Sequence, residues 1–176
     1  MRAAQDPYFA EVSYGIFCDY VAIGVDDDFR YIVACLQRFH NSMIKWLATK
    51  HFLQTHSTNP LISSATLNAA IQRYFAALGE GYDSLFGVTK FQSRFYWANG
   101  SAINHNPAEL IRTQDLPPIY EENSNFYIFS VDSFRAAGNK RIGLHPEMFA
   151  VNKLEAIDID DKEDFILAET LYANRK

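Results

Sequence analysis

Apolar positions along this chain recur at two spacings, and stretches of one kind alternate with stretches of the other. Residues 20–25 form a short β-branched run that stops at Asp26, Asp27 and Asp28, the pattern of a buried strand ending at an acidic turn. From residue 29 the period lengthens: Ile32, Cys35, Leu36, Phe39, Met43, Trp46 and Leu47 fall on one stripe, which predicts a helix over 29–46 entered through an aspartate cap. Residues 51–60 read as a short strand spilling into a loop dense in hydroxyls and amides. Ser63 or Ser64 then caps a helix over 65–78, which Gly79 and Gly81 end. A strand is predicted over 83–91 and another over 94–97, turned back by Asn99-Gly100 into a hairpin toward Ile103. Pro117 and Pro118 exclude 115–120 from central sheet, whereas 125–130 is the clearest strand of all. A short helix over 133–137, an extended segment over 143–151 and a last helix over 162–172 complete the pattern. Strands alternating with helices predict a three-layer α/β domain. No repeat or linker divides the 176 residues, so a single domain spanning 1–176 is expected.

Composition narrows the partners. An apolar share of 48% with 15% aromatics is that of a globular chain. A formal charge of −5 provides no broad attraction for nucleic acid or for an anionic membrane, so neither is expected, and any polyanionic ligand has to be captured locally. Cys18 and Cys35 have neither a disulfide-framework nor a zinc spacing and read as buried small hydrophobes of a reduced compartment. No apolar run approaches the roughly 20 residues needed to span a bilayer, and the first residues lack the apolar core of a signal peptide, so a cytoplasmic location is expected.

Chemistry concentrates in the acidic stretch 154–165. If 156–160 is extended, Asp158 and Asp160 share one face and Ile157 and Ile159 the other. Two carboxylates held that close call for a partner, and a hard divalent cation such as Mg²⁺ bridging to a phosphate is the natural one. The plainer alternative is a strand end running into an acidic helix start, where Asp161, Glu163 and Asp164 complement the dipole. The loop at 57–59 has a similar duality: a strand, polar loop and helix N-terminus can hold an anion or simply cap the helix.

Three words taken in order, Gln-Thr-His-Ser-Thr-Asn-Pro-Leu (54–61), Arg-Thr-Gln-Asp-Leu-Pro-Pro-Ile-Tyr-Glu-Glu-Asn-Ser-Asn-Phe-Tyr-Ile-Phe (112–129) and Leu-Glu-Ala-Ile-Asp-Ile-Asp (154–160), resemble the acylneuraminate cytidylyltransferase family, the CMP-sialic acid synthetases and their relatives, over about residues 51–172. The resemblance implies a Rossmann-like nucleotidyltransferase fold with a mixed sheet. It also implies transfer of a cytidylyl group from CTP to a nonulosonic or related 2-keto sugar acid, with release of pyrophosphate. Asp158 and Asp160 take the place of the family's Mg²⁺ ligands, and Arg112 that of the cation facing the substrate carboxylate. Gln54, Gln114, Asn123 and Tyr127 match substrate-pocket positions, with Ser57, Thr58 and Asn59 as hydrogen-bonding candidates for the nucleotide. A homodimer joined through the aromatic-rich region 123–149 is implied as well.

Departures from the family pattern are equally plain. Thr113 stands where an arginine usually precedes the Gln-Asp-Leu-Pro word, and the 54–60 loop is longer than the common Gln-Pro-Thr-Ser-Pro form. Residues 1–50 contain nothing like the family's opening glycine-containing basic loop, which cradles the triphosphate. The expectation is therefore an N-terminally incomplete or divergent enzyme, weak or inactive in this form. The alternative is a catalytically silent sugar-binding or dimer-assembly module of the same descent. A nucleotidyltransferase of the same fold acting on another sugar or polyol phosphate fits Asp158 and Asp160 but not the 114–127 word.

Overall fold

A computed structural model describes the backbone of residues 20–25, 31–35 and 50–174, and the side chains from 50 to 174. The described strands are β1 (Tyr20–Val25), β2 (Tyr31–Cys35), β3 (His51–His56), β4 (Ser84–Phe91), β5 (Ile119–Ser130) and β6 (Pro146–Val151). They form one sheet in the order β2-β1-β3-β5-β4-β6, antiparallel throughout except for the parallel pair β4 and β6. Three described helices accompany it, α1 (Ser64–Gly79), α2 (Val131–Ala136) and α3 (Lys162–Ala173). Among the described residues no helix is long and apolar enough to cross a membrane.

Strand alternation builds two cores, one on each face. Phe126 and Ile128 of β5, with Leu53 of β3 and Leu85 of β4, point to the face covered by Ala70, Ile71 and Tyr74 of α1. Their sequence neighbours Phe52, Tyr127 and Phe129 point the other way, where Phe134 of α2 packs on them. The mixed sheet thus lies between helices, the α/β layering expected from the alternating pattern. Helix α1 begins where Ser63 accepts a bond from the Thr66 amide, and the chain beyond it turns through Gly81 at φ 95°. Helix α2 starts in a capping box between Ser130 and Ser133.

Several expectations are corrected. Residues 31–35, placed in a helix by their spacing, are strand β2, whose Val33 lies opposite Ile23 of β1; the remainder of that predicted helix, at 29–30 and 36–46, falls outside the described residues. The β-branched pair Ile32 and Val33 favours the strand, and a partner strand only a few residues away decides it. Residues 94–97 form no strand: Tyr96 pairs with Ala102 in a single bridge around Gly100, at φ 82°. Strand β5 begins at Ile119, six residues before the predicted start at 125, directly after the proline pair. Its first half pairs only with β4, and the register jumps from Phe86↔Tyr127 to Val88↔Glu122, leaving a bulge in β5 where Ser124 adopts φ 56°. Residues 156–160 join no ladder and form a loop into α3.

The lead into β6 is pinned to the start of β4. Ser84 accepts from the Gly143 amide and Asp83 from the Leu144 amide, each at 2.8 Å, and the Asp83 amide donates to the His145 carbonyl at 3.0 Å. A β-carbon at residue 143 would lie 2.0 Å from an Asp83 carboxylate oxygen, so any side chain there displaces this clamp. Gly143→Ala is expected to destabilise the protein by about 1–3 kcal/mol, read as a lowered midpoint in denaturant; an unchanged midpoint would show that the clamp carries no stability.

Candidate active site

The loop 155–160 is held by side chains from three elements. The Asn125 amide of β5 donates to the Glu155 carbonyl at 2.8 Å, and the Thr66 hydroxyl of α1 donates to the Glu155 carboxylate at 2.5 Å. Asn59, buried in the loop between β3 and α1, donates through Nδ2 to the Ile157 carbonyl at 3.3 Å. The Ile159 amide in turn donates to the Thr58 carbonyl at 2.9 Å. Asp158 is therefore bracketed by a hydrogen bond on either side. Beyond it, Asp161 and Asp164 form a reciprocal capping box at the start of α3.

Between this loop, the bulge of β5 and the start of α3 lies a cavity of about 360 Å³, lined by Glu121, Glu122, Asn123 and Ser124 on one side and by Ala156, Ile157, Asp158, Asp160 and Asp164 on the other. Asp158 and Asp160 share it as expected, although no strand places them. Ile159 lies on the far side, lining an apolar pocket with Leu61, Phe165 and Ala168. Ile157 departs from the simple alternation by lining the acidic cavity. The two readings of the acidic stretch divide by residue: Asp161 and Asp164 cap the helix, whereas Asp158 keeps a buried carboxylate oxygen, Oδ1, with no hydrogen-bond partner.

A second cluster adjoins the cavity through Tyr127. Its hydroxyl donates to the Glu122 carboxylate and lies 3.3 Å from the Ser124 hydroxyl, and both residues line the cavity. Burial, reinforced by the bond to Glu122, pushes the Tyr127 phenol above its ordinary pKa. Gln54 sits opposite Tyr127 in the β3–β5 register, 1% exposed, with its Oε1 unpartnered. The Arg141 guanidinium lies 4.0 Å over the Tyr127 ring and donates to His56 Nε2 at 3.2 Å. A guanidinium only donates, so Nε2 is the accepting nitrogen.

The other predicted site residues are distributed unevenly. Asn123 lines the cavity, but its side chain belongs to the bulge: Nδ2 donates to Thr89 at 3.2 Å and Oδ1 accepts from the Asn125 amide at 3.2 Å. Gly87 leaves room for it, since a β-carbon there would come within 2.8 Å of that oxygen. Ser57 and Thr58 are exposed. Arg112 and Gln114 lie outside the cavity lining, at the one-turn 3₁₀ helix Thr113–Asp115. Arg112 is bonded to Asp115 at 2.8 Å with its side chain 73% exposed, and the Gln114 carbonyl accepts from the Gln92 amide at 2.6 Å. Sequence reasoning missed Glu121, Glu122 and Ser124, although all three lie inside the 112–129 word, and it gave Arg141 no role.

The profile of a family described as cytidylyltransferase matches residues 27–175. The chain belongs to the cytidylyltransferase family. No curated protein matches it. The matched span includes 27–50, the part that carries no recognisable family word. Cytidylyltransferases act on a nucleotide, and the donor set here fits a hard cation beside phosphate: Asp158 offers an orphaned carboxylate oxygen and Asp160 lies two residues away. Among the described residues no three of His, Cys, Asp and Glu group tightly enough to cage a metal. Mg²⁺ needs no such cage, since it typically takes one or two carboxylates and completes its shell with water and substrate phosphates.

Removing the Asn59 side chain should release the loop that carries Asp158. Asn59→Ala is expected to cost about 1–3 kcal/mol of stability and to speed hydrogen exchange at the Ile159 amide relative to amides of β5. Unchanged exchange at Ile159 would mean that Asn59 does not hold the loop.

Proposed function

We propose that this cytidylyltransferase transfers the cytidylyl group of CTP to the anomeric hydroxyl of a sialic-acid-like 2-keto sugar acid, giving a CMP-sugar and pyrophosphate. The observation that carries the reading is Asp158, held on one side by the Asn59 side-chain bond to the Ile157 carbonyl and on the other by the Ile159 amide on Thr58, yet left with a buried, unpartnered carboxylate oxygen in an acid-lined cavity. Both substrates of such a reaction are anions. A cavity lined by Glu121, Glu122, Asp158, Asp160 and Asp164 repels them unless a cation intervenes. Asp158 and Asp160 are the residues that would hold Mg²⁺, and when bound it supplies positive charge to phosphate and lowers the pKa of the attacking hydroxyl.

The chain's own residues do the positioning. The sugar hydroxyl oxygen attacks the α-phosphorus, the bond from that phosphorus to the bridging oxygen of pyrophosphate breaks, and the hydroxyl proton leaves to solvent or a nearby carboxylate. Little covalent work falls to the protein, so catalysis rests on alignment and charge. Gln54 and Tyr127, neighbours across β3 and β5, are taken as sugar contacts together with Asn123 of the cavity lining. Ser57, Thr58 and Asn59 stand beside the loop as nucleotide contacts. Gln114 belongs to the same reading through the family word at 112–129. A cytoplasmic homodimer joined near 123–149 completes it.

Pyrophosphate release by the purified chain, with CTP, Mg²⁺ and a panel of 2-keto sugar acids, tests the proposal. Release is expected with one of the sugars, lost on chelation of Mg²⁺ and lowered by about 10²-fold or more in Asp158→Ala. No release from folded protein with any of the sugars would overturn the proposed reaction.

A further inference from the structure

We propose that Arg141 is the cation that receives the carboxylate of the sugar acid; this rests on the proposed reaction and adds a residue to it. Arg141 is half-buried, and among the described residues it forms no ion pair with a carboxylate. Its guanidinium is nevertheless fixed, 4.0 Å over the Tyr127 ring and bonded to His56 Nε2 at 3.2 Å. That one bond leaves most of its five N–H donors available, in a planar fork that matches a carboxylate. Stacking on an aromatic face holds the fork without neutralising it.

The surroundings favour an organic acid. The tyrosine beneath Arg141 reaches with its hydroxyl to Glu122 and Ser124 on the cavity wall, so one ring separates the cation from that wall. Gln54, opposite Tyr127, presents a buried and unpartnered Oε1, which calls for a donor such as a sugar hydroxyl. A molecule carrying a carboxylate and hydroxyls offers the chemical complement of each. Arg112, the arginine suggested by the family word, is already bonded to Asp115 and largely in solvent. Exposed pairs of that kind contribute little, and a ligand there would compete with the resident carboxylate.

The test is calorimetric binding, with Mg²⁺, of N-acetylneuraminic acid and of 3-deoxy-octulosonate, each beside its uncharged methyl ester. The unaltered chain should bind one of the acids about 10-fold or more tighter than its ester. Arg141→Gln should weaken the acid by about 10- to 100-fold and remove the preference, leaving binding of CTP with Mg²⁺ unchanged, whereas Arg112→Gln should keep it. If Arg141→Gln fails to fold, the same ratio is read on Arg141→Lys, where it should fall by about 10-fold because an ammonium cannot pair as a fork. An acid-to-ester ratio unaltered in the folded Arg141 variant would overturn this inference and leave the proposed reaction standing. Failure of the unaltered chain to bind either acid would overturn both.

Discussion

The candidate site depends on two amide side chains and one backbone hydrogen bond. Residues 155–159 belong to no sheet, and their local backbone bonding is confined to the turn on Asn152, whose carbonyl accepts from the Glu155 and Ala156 amides. Asn125 holds one end through the Glu155 carbonyl, Asn59 holds the middle through Ile157, and the Ile159 amide closes the stitch on Thr58. Both asparagines are almost wholly buried, where an unmade hydrogen bond costs most. The loop after β3 therefore has a structural duty alongside any contact with nucleotide. Asn59 does in this chain what a ladder partner would do for a strand.

The same economy of position explains the bulge of β5. A regular strand would alternate strictly along its length and carry every residue at a fixed height above the sheet. The jump between Phe86↔Tyr127 and Val88↔Glu122 gathers the intervening residues of β5 into a corner, with Ser124 at φ 56° and Asn123 bonded to Thr89. Glu121, Glu122, Asn123 and Ser124 come to face the acidic loop, while Tyr127 stays in the sheet and reaches back to Glu122. Bulges recur where a strand has to re-aim side chains. Here the bulge joins the acid-lined cavity to the aromatic and cationic cluster beyond it.

Much of the central fold was legible in the sequence. The strand at 51–56, the Ser63 cap, the helix that follows and the strand at 84–91 all read correctly, because period and capping residues agree there. The stretch at 31–35 misled because Ile32, Cys35 and Leu36 satisfy helical spacing, while the β-branched pair and a nearby partner strand favoured the sheet. Tertiary pairing of this kind overrides a short window. Asp158 and Asp160 line one cavity, as their spacing suggested they would share one side, although a loop rather than a strand presents them. Arg141 left no local signal: it follows a Gly-Asn turn, and only the fold brings it over the Tyr127 ring, fourteen positions earlier in the chain. The pairing of Arg112 with Asp115 is likewise a matter of loop geometry, since a family word fixes order along the chain but not which neighbours a loop arginine keeps.

The buried polar atoms left without partners share one chemical sign. Gln54 Oε1, Asn59 Oδ1, Asn125 Oδ1 and Asp158 Oδ1 are all acceptors, and three of them belong to Asp158 or to the asparagines that hold its loop. An unsatisfied buried acceptor costs about 1–3 kcal/mol, so four of them together are a substantial fraction of the marginal stability of a domain. Only a donor or a cation relieves that cost, and an added anion would aggravate it. With the anionic substrates proposed above, their hydroxyl and amino hydrogens and a divalent cation held with phosphate would supply that relief at Asp158. Binding of such a complex should therefore do more than fill the cavity. It would give Asp158 Oδ1, on the cavity wall, the partner it lacks, so such a ligand would stabilise the loop that carries Asp158.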